Sequence, residues 1–100
     1  VAKGAQFLDL RDSFQGREVC ARASRQATAS PPPSAATSEW ARWIDSRSTQ
    51  GLVQESMHPN AYGQQALGRC LALIHAVPSG HRACRNTAGA GASGMYLTAG

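Results

Sequence analysis

His58 is the residue whose setting most invites chemistry. It lies in "QESMHPNAYGQQALGRCL", residues 54–71, after Glu55 and Ser56 and directly before Pro59. An imidazole has an ordinary pKa that lets it take and return a proton near neutral pH. A histidine that acts as a base keeps one ring nitrogen open to substrate and has the other held by an acceptor. Glu55 and Ser56 are the acceptors close in sequence. A carboxylate stabilises the imidazolium; a hydroxyl or main-chain carbonyl orients the ring and stabilises charge less. Pro59 restricts the backbone of His58 to extended conformations. The same residues also fit a plain helix cap, and E-x-x-H-P-N alone serves either role.

A helix must follow directly. Asn60 is a suitable cap for a helix over about 60–76, "NAYGQQALGRCLALIHA". Tyr62, Ala66, Cys70, Leu73 and Val77, joined by Leu67, Leu71 and Ile74, make an apolar stripe wide enough to bury against a sheet. Gly63 and Gly68 cost helix propensity, which fits a backbone that approaches a neighbour closely. Pro78 and Gly80 stop the helix.

Upstream, "AQFLDL", residues 5–10, predicts a short buried strand, and the chain turns away at Gly16. Such a strand needs neighbours on both sides. Few other stretches read as strands, so the expectation is that more sheet comes from sequence outside these residues. Residues 21–37 predict a low-complexity loop, stiffened by Pro31–Pro33 into an extended left-handed conformation. A short helix is predicted over about 39–46, capped by Ser38, with Trp40, Trp43 and Ile44 on one face. The two tryptophans serve either as packing anchors or as a partner- or lipid-facing patch. Residues 79–100 read as an irregular Gly-rich tail in which "MYL" adds a short edge strand.

One hundred residues suffice for one domain. Apolar content is 42%, but alanine supplies much of it and aromatics only 6%, so large core formers are few. The net charge of +4 comes from scattered residues, nine of the ten basic ones being Arg. That balance permits weak attraction to an anionic surface such as phospholipid. Nucleic acid is not expected as a partner, because no basic block with interleaved aromatics is present. No stretch reaches the roughly 18 apolar residues of a membrane span, so membrane contact is at most peripheral. No signal peptide is visible at Val1, and the chain reads as a mature product or a fragment of a longer secreted protein.

"LVQESMHPNAYGQQALGRCL" closely resembles the last conserved block of the SGNH, or GDSL, hydrolases, which carries a catalytic histidine as D-x-x-H-P before a C-terminal helix. "GAQFLDLRDSFQGREVC" looks like the final core strand and following loop of secreted actinobacterial members. "SEWARWI" sits where those members have a Trp-bearing segment, and "GRCLALIHA…CRNTAGAG" resembles their helix and tail. The resemblance covers nearly the whole chain.

It implies an α/β fold of three layers, α/β/α, around a parallel sheet. These 100 residues would supply its C-terminal part: last parallel strand, long irregular loop and C-terminal helix. It implies hydrolysis of esters, thioesters and acylated lipids, phospholipids among them, or acylated sugars, by a serine nucleophile. His58, in a loop over 54–59, matches the general base. Glu55 occupies the acid position of the motif. Related secreted enzymes carry "EDMHPN" here, so Ser56 stands where a carboxylate would orient the ring. The nucleophile, in a G-D-S motif, is absent; Asp12-Ser13 is the nearest text but follows the last core strand rather than the first. The oxyanion-hole blocks are absent too. The expectation is therefore an enzyme completed by a second polypeptide carrying the G-D-S serine, with this chain inactive alone. No metal or organic cofactor is implied.

Three cysteines, Cys20, Cys70 and Cys84, leave one without a partner in the chain. Cys70 lies about 18 Å down the helix from His58 at the helical rise per residue. Cys20 follows the carboxyl end of the strand, the side where open α/β sheets place active sites. That puts Cys20 and Cys70 beyond the roughly 7 Å that a disulfide bridges. A Cys70–Cys84 disulfide is expected, with Cys20 pairing outside the chain; both suit an oxidising, secreted location. His58, His75, His81 and Cys84 together match no compact zinc spacing.

Overall fold

Phe7, Leu8 and Asp9 are extended and form the first strand of a small mixed α/β fold, β1 (Phe7–Asp9). The helix α1 (Ala61–His75) follows, then β2 (His81–Arg85), a 3-10 turn over Ala92–Gly94, and β3 (Tyr96–Ala99). The computed structural model describes residues 5–19, 21–24, 34–41 and 58–100. The strand order is β1-β2-β3. β1 and β2 run parallel, with Phe7 opposite His81 and Asp9 opposite Ala83. β2 and β3 run antiparallel, with Cys84 opposite Leu97 and Arg85 opposite Tyr96. A parallel pair needs a crossover, and α1 provides it. The helix therefore begins near the carboxyl ends of both parallel strands.

Two sequence expectations are corrected here. Residues 79–100 are not irregular apart from an edge strand at "MYL": that strand is present as β3, and β2 stands beside it. β1 is not a strand buried on both faces, since Phe7 is 48% exposed, and its parallel neighbour comes from its own chain.

α1 matches the predicted helix, with Asn60 as its cap. Its buried face is narrower than the apolar stripe suggests. Gly63, Ala66, Cys70 and Ile74 are buried, while Leu71 is 60% exposed. Small side chains on that face let the helix lie close to the sheet. Cys70 bonds to Cys84 on β2 across a Cα separation of 5.8 Å, which is the disulfide the sequence led us to expect. Closing a loop of 14 residues contributes about 3 kcal/mol by limiting the unfolded chain.

Trp40, Ala66, Cys70, Cys84 and Met95 form the core, with Leu8, Phe14, Tyr62, Leu73 and Leu97 packed against it. Trp40 is wholly buried. Its indole N–H donates to the Ala35 carbonyl at 2.9 Å, and its ring meets Phe14 edge-on at 5.6 Å. Of the two readings of Trp40, the packing anchor is borne out and the exposed patch is not. Trp43 lies outside the described residues, as does most of the helix expected over about 39–46. The part of that helix that is described, residues 39–41, is not helical, and Ala41 forms an isolated bridge with Pro59. Pro31–Pro33 also lie outside the described residues. Among the described residues, no helix is long and apolar enough to cross a membrane.

Candidate functional site

Asn60 determines how the histidine loop is held. Its Oδ1 accepts the Gly63 N–H at 3.1 Å, satisfying one of the donors a helix start leaves without a partner. Its Nδ2 donates to the Glu39 carbonyl at 2.6 Å. Its main-chain N–H donates to the Trp40 carbonyl at 2.9 Å. One side chain thus caps α1 while its backbone and amide tie the loop to residues 39–40. The bond that accompanies the Ala41–Pro59 bridge runs between the flanking residues, from Asn60 to Trp40, so a proline without an N–H is tolerated at position 59.

The tie continues into the turn that follows β1. The Trp40 N–H donates to the Arg17 carbonyl at 2.8 Å. Residues 11–16 form consecutive turns that close at Gly16, whose φ of 80° lies in the left-handed region. Arg17 is buried, and its guanidinium donates to the Ala23 carbonyl and to Ser24 Oγ, each at 3.0 Å. Main-chain bonds therefore run from Arg17 through Trp40 to Asn60.

Gly63 brings the first turn of α1 against this frame. A Cβ there would collide with the Trp40 carbonyl oxygen and stand 2.9 Å from Phe14 Cζ and 3.0 Å from Pro59 Cβ. Only a residue without a side chain fits there. Gly68 has no such constraint, since a Cβ there meets nothing within 4 Å.

His58 sits at the outer end of this assembly and is exposed. Its predicted partners Ser56 and Glu55 lie outside the described residues, as does Cys20. An exposed imidazole beside the clamped Asn60, at the carboxyl side of the two parallel strands, can take a proton from a hydroxyl brought to it. This is also the side where open α/β sheets bind ligands. Ser13 does not supply that hydroxyl. It is 1% exposed, and its Oγ donates to the Cys84 carbonyl at 2.7 Å.

At the same end of β1, Asp9 and Arg11 form a two-pronged ion pair, closest at 2.8 Å. The Arg11 main-chain N–H and then its guanidinium hold the Asp9 carboxyl below the ordinary carboxylate value. Asp9 in turn pushes the Arg11 guanidinium up. Cys84, considered as a ligand beside His58, His75 and His81, is committed to its disulfide. Among the described residues, no group of three His, Cys, Asp or Glu side chains could hold a metal ion.

Sequence reasoning found Asn60 as the cap but missed the carbonyls of Glu39 and Trp40 that anchor it. The one available signal was chemical: a capping asparagine has two amide donors to satisfy, and no acceptor is provided nearby in sequence. Comparison with family models, curated proteins and solved structures finds no match for this chain.

Proposed function

We propose that this chain is the C-terminal part of a secreted serine esterase, lipase or phospholipase of the SGNH type, with His58 as its general base. The observation that carries the reading is the exposed His58, two residues before the clamped Asn60 that starts α1, on the carboxyl side of the parallel strands. The resemblance of the His-Pro-Asn block and its flanking segments to that family gives the chemistry its identity. The β1–α1–β2 unit would then be one end of a larger parallel sheet within a three-layer α/β/α fold.

In the mechanism, His58 takes the proton of a serine hydroxyl supplied by another polypeptide segment. The serine oxygen forms a bond to the ester carbonyl carbon. The resulting tetrahedral intermediate collapses as the carbonyl–alkoxide bond breaks, and His58 returns its proton to the leaving alcohol. Water, deprotonated by the same imidazole, then releases the acid and regenerates the serine. Ser56, Glu55 or a main-chain oxygen orients the ring. The Asn60 clamp limits how far the imidazole can drift from the attacking oxygen.

The reading predicts that a G-D-S serine lies on polypeptide outside these 100 residues, joined to them or copurifying with them. Treating material purified from culture medium with a fluorophosphonate probe, then mapping the labelled peptide, tests this. Label should appear on a serine outside residues 1–100. Labelling of a serine within them, or a folded and pure 100-residue species that hydrolyses p-nitrophenyl esters unaided, would contradict it.

A further inference from the structure

Beyond β1 and β2 lies an open groove of about 320 Å³ lined by Asp12, Gln15, Gly16, Arg85, Asn86, Ala88 and Tyr96. It is separated from the histidine loop by the 11–16 turn. Phe14 of that turn packs toward Trp40 and the first turn of α1, whereas Asp12, Gln15 and Gly16 face the groove.

The walls are held in place. Asn86 Nδ2 donates to the Ser13 carbonyl at 2.9 Å and to the Gln15 carbonyl at 3.0 Å, fastening the turn to the end of β2. With both amide protons committed, Asn86 offers the groove its acceptor Oδ1. Arg85 and Tyr96 are direct cross-strand partners. Arg85 Nη1 lies 3.3 Å from Asp12 Oδ2, and both side chains are about half exposed, at 40% and 51%. Tyr96 is 44% exposed although it belongs to a strand.

We propose that this groove binds a pyranose sugar ring, independently of ester hydrolysis. The charge balance argues against a simple anion. Arg85 is already paired with Asp12, so a phosphate or carboxylate would have to displace that carboxylate or sit beside it. A neutral ring with vicinal hydroxyls meets no such conflict, because each hydroxyl both donates and accepts. One hydroxyl can donate to Asp12 while its neighbour accepts from Arg85. Gln15 supplies a further amide, and the exposed Tyr96 ring offers an apolar face for the C–H side of the sugar. The volume suits one such ring, at the small end of ligand sites.

The test is a titration of the isotope-labelled chain, followed by amide NMR shifts. Three probes are used: methyl β-D-glucopyranoside, glycerol and inorganic phosphate. The glucoside should saturate and move residues 12–16, 85–88 and 96, with glycerol weaker because it has no ring face. Tyr96→Ala should weaken the glucoside about tenfold. Gln15→Ala, an exposed turn change that leaves the fold in place, should weaken it several-fold, giving a second readout if Tyr96→Ala unfolds. Saturation by phosphate with no response to the glucoside would overturn the proposal. So would equal binding of glycerol and glucoside, or glucoside shifts that survive both substitutions.

Discussion

The main-chain N–H of Asn60 donates to the carbonyl of Trp40 at 2.9 Å, and that same oxygen is what a side chain at position 63 would strike. The start of α1, the buried tryptophan and the histidine loop are thus one packed unit.

Gly63→Ala and Gly68→Ala should therefore act in opposite directions. At position 63 the backbone must shift away from Trp40, and overpacking costs about 1–3 kcal/mol. At position 68 the added methyl meets nothing, and replacing a helical glycine should stabilise by about 0.5–1 kcal/mol. Urea midpoints of the two variants check this; equal effects would disprove the packing argument.

Asn60→Asp and Asn60→Ala separate the cap from the clamp. Aspartate keeps an oxygen for the Gly63 N–H but loses the donor to the Glu39 carbonyl. Alanine loses both and should cost about 1–2 kcal/mol of stability. Aspartate should retain most of the helix stability yet loosen the loop. Amide exchange at His58 and at position 60 should quicken in Asn60→Asp while the middle of α1 stays protected.

Reducing the Cys70–Cys84 disulfide, or replacing both cysteines with alanine, should remove about 3 kcal/mol. Denaturation with and without reductant measures it. A difference near zero would mean that the α1–β2 packing holds without the covalent tie.

What the sequence discloses here is local chemistry. Asn60 could be read as a cap because the helix pattern begins directly behind it, and Pro78 marks the other end. β2 was hidden because "HRACR" carries three charged or polar residues and only Cys84 is buried. Its strand state comes from pairing on both sides and from the disulfide, neither of which is a local propensity. Leu71 misled in the other direction: its type suggested burial, but its position faces away from the sheet. At the site, His58 was legible while its anchorage was not, since Asn60 reaches an acceptor 21 residues away.

Acid should weaken the end of β1. The folded Asp9 carboxyl has a pKa below its unfolded value, so its contribution is present above the unfolded pKa. It is lost as pH falls through the folded value. A stability profile from about pH 5 to about pH 2 should show a shallower acid limb in Asp9→Asn than in the parent chain. Superimposable limbs would show that the Arg11 pairing does not contribute.

The central claim is that His58 moves the proton in ester hydrolysis once a serine is supplied. The most direct measurement is kcat for a p-nitrophenyl ester with the protein that includes that serine, comparing the parent with His58→Ala. The account predicts a fall of about 10²–10⁴-fold, with the circular dichroism spectrum unchanged. An unchanged kcat in a folded His58→Ala enzyme would contradict it.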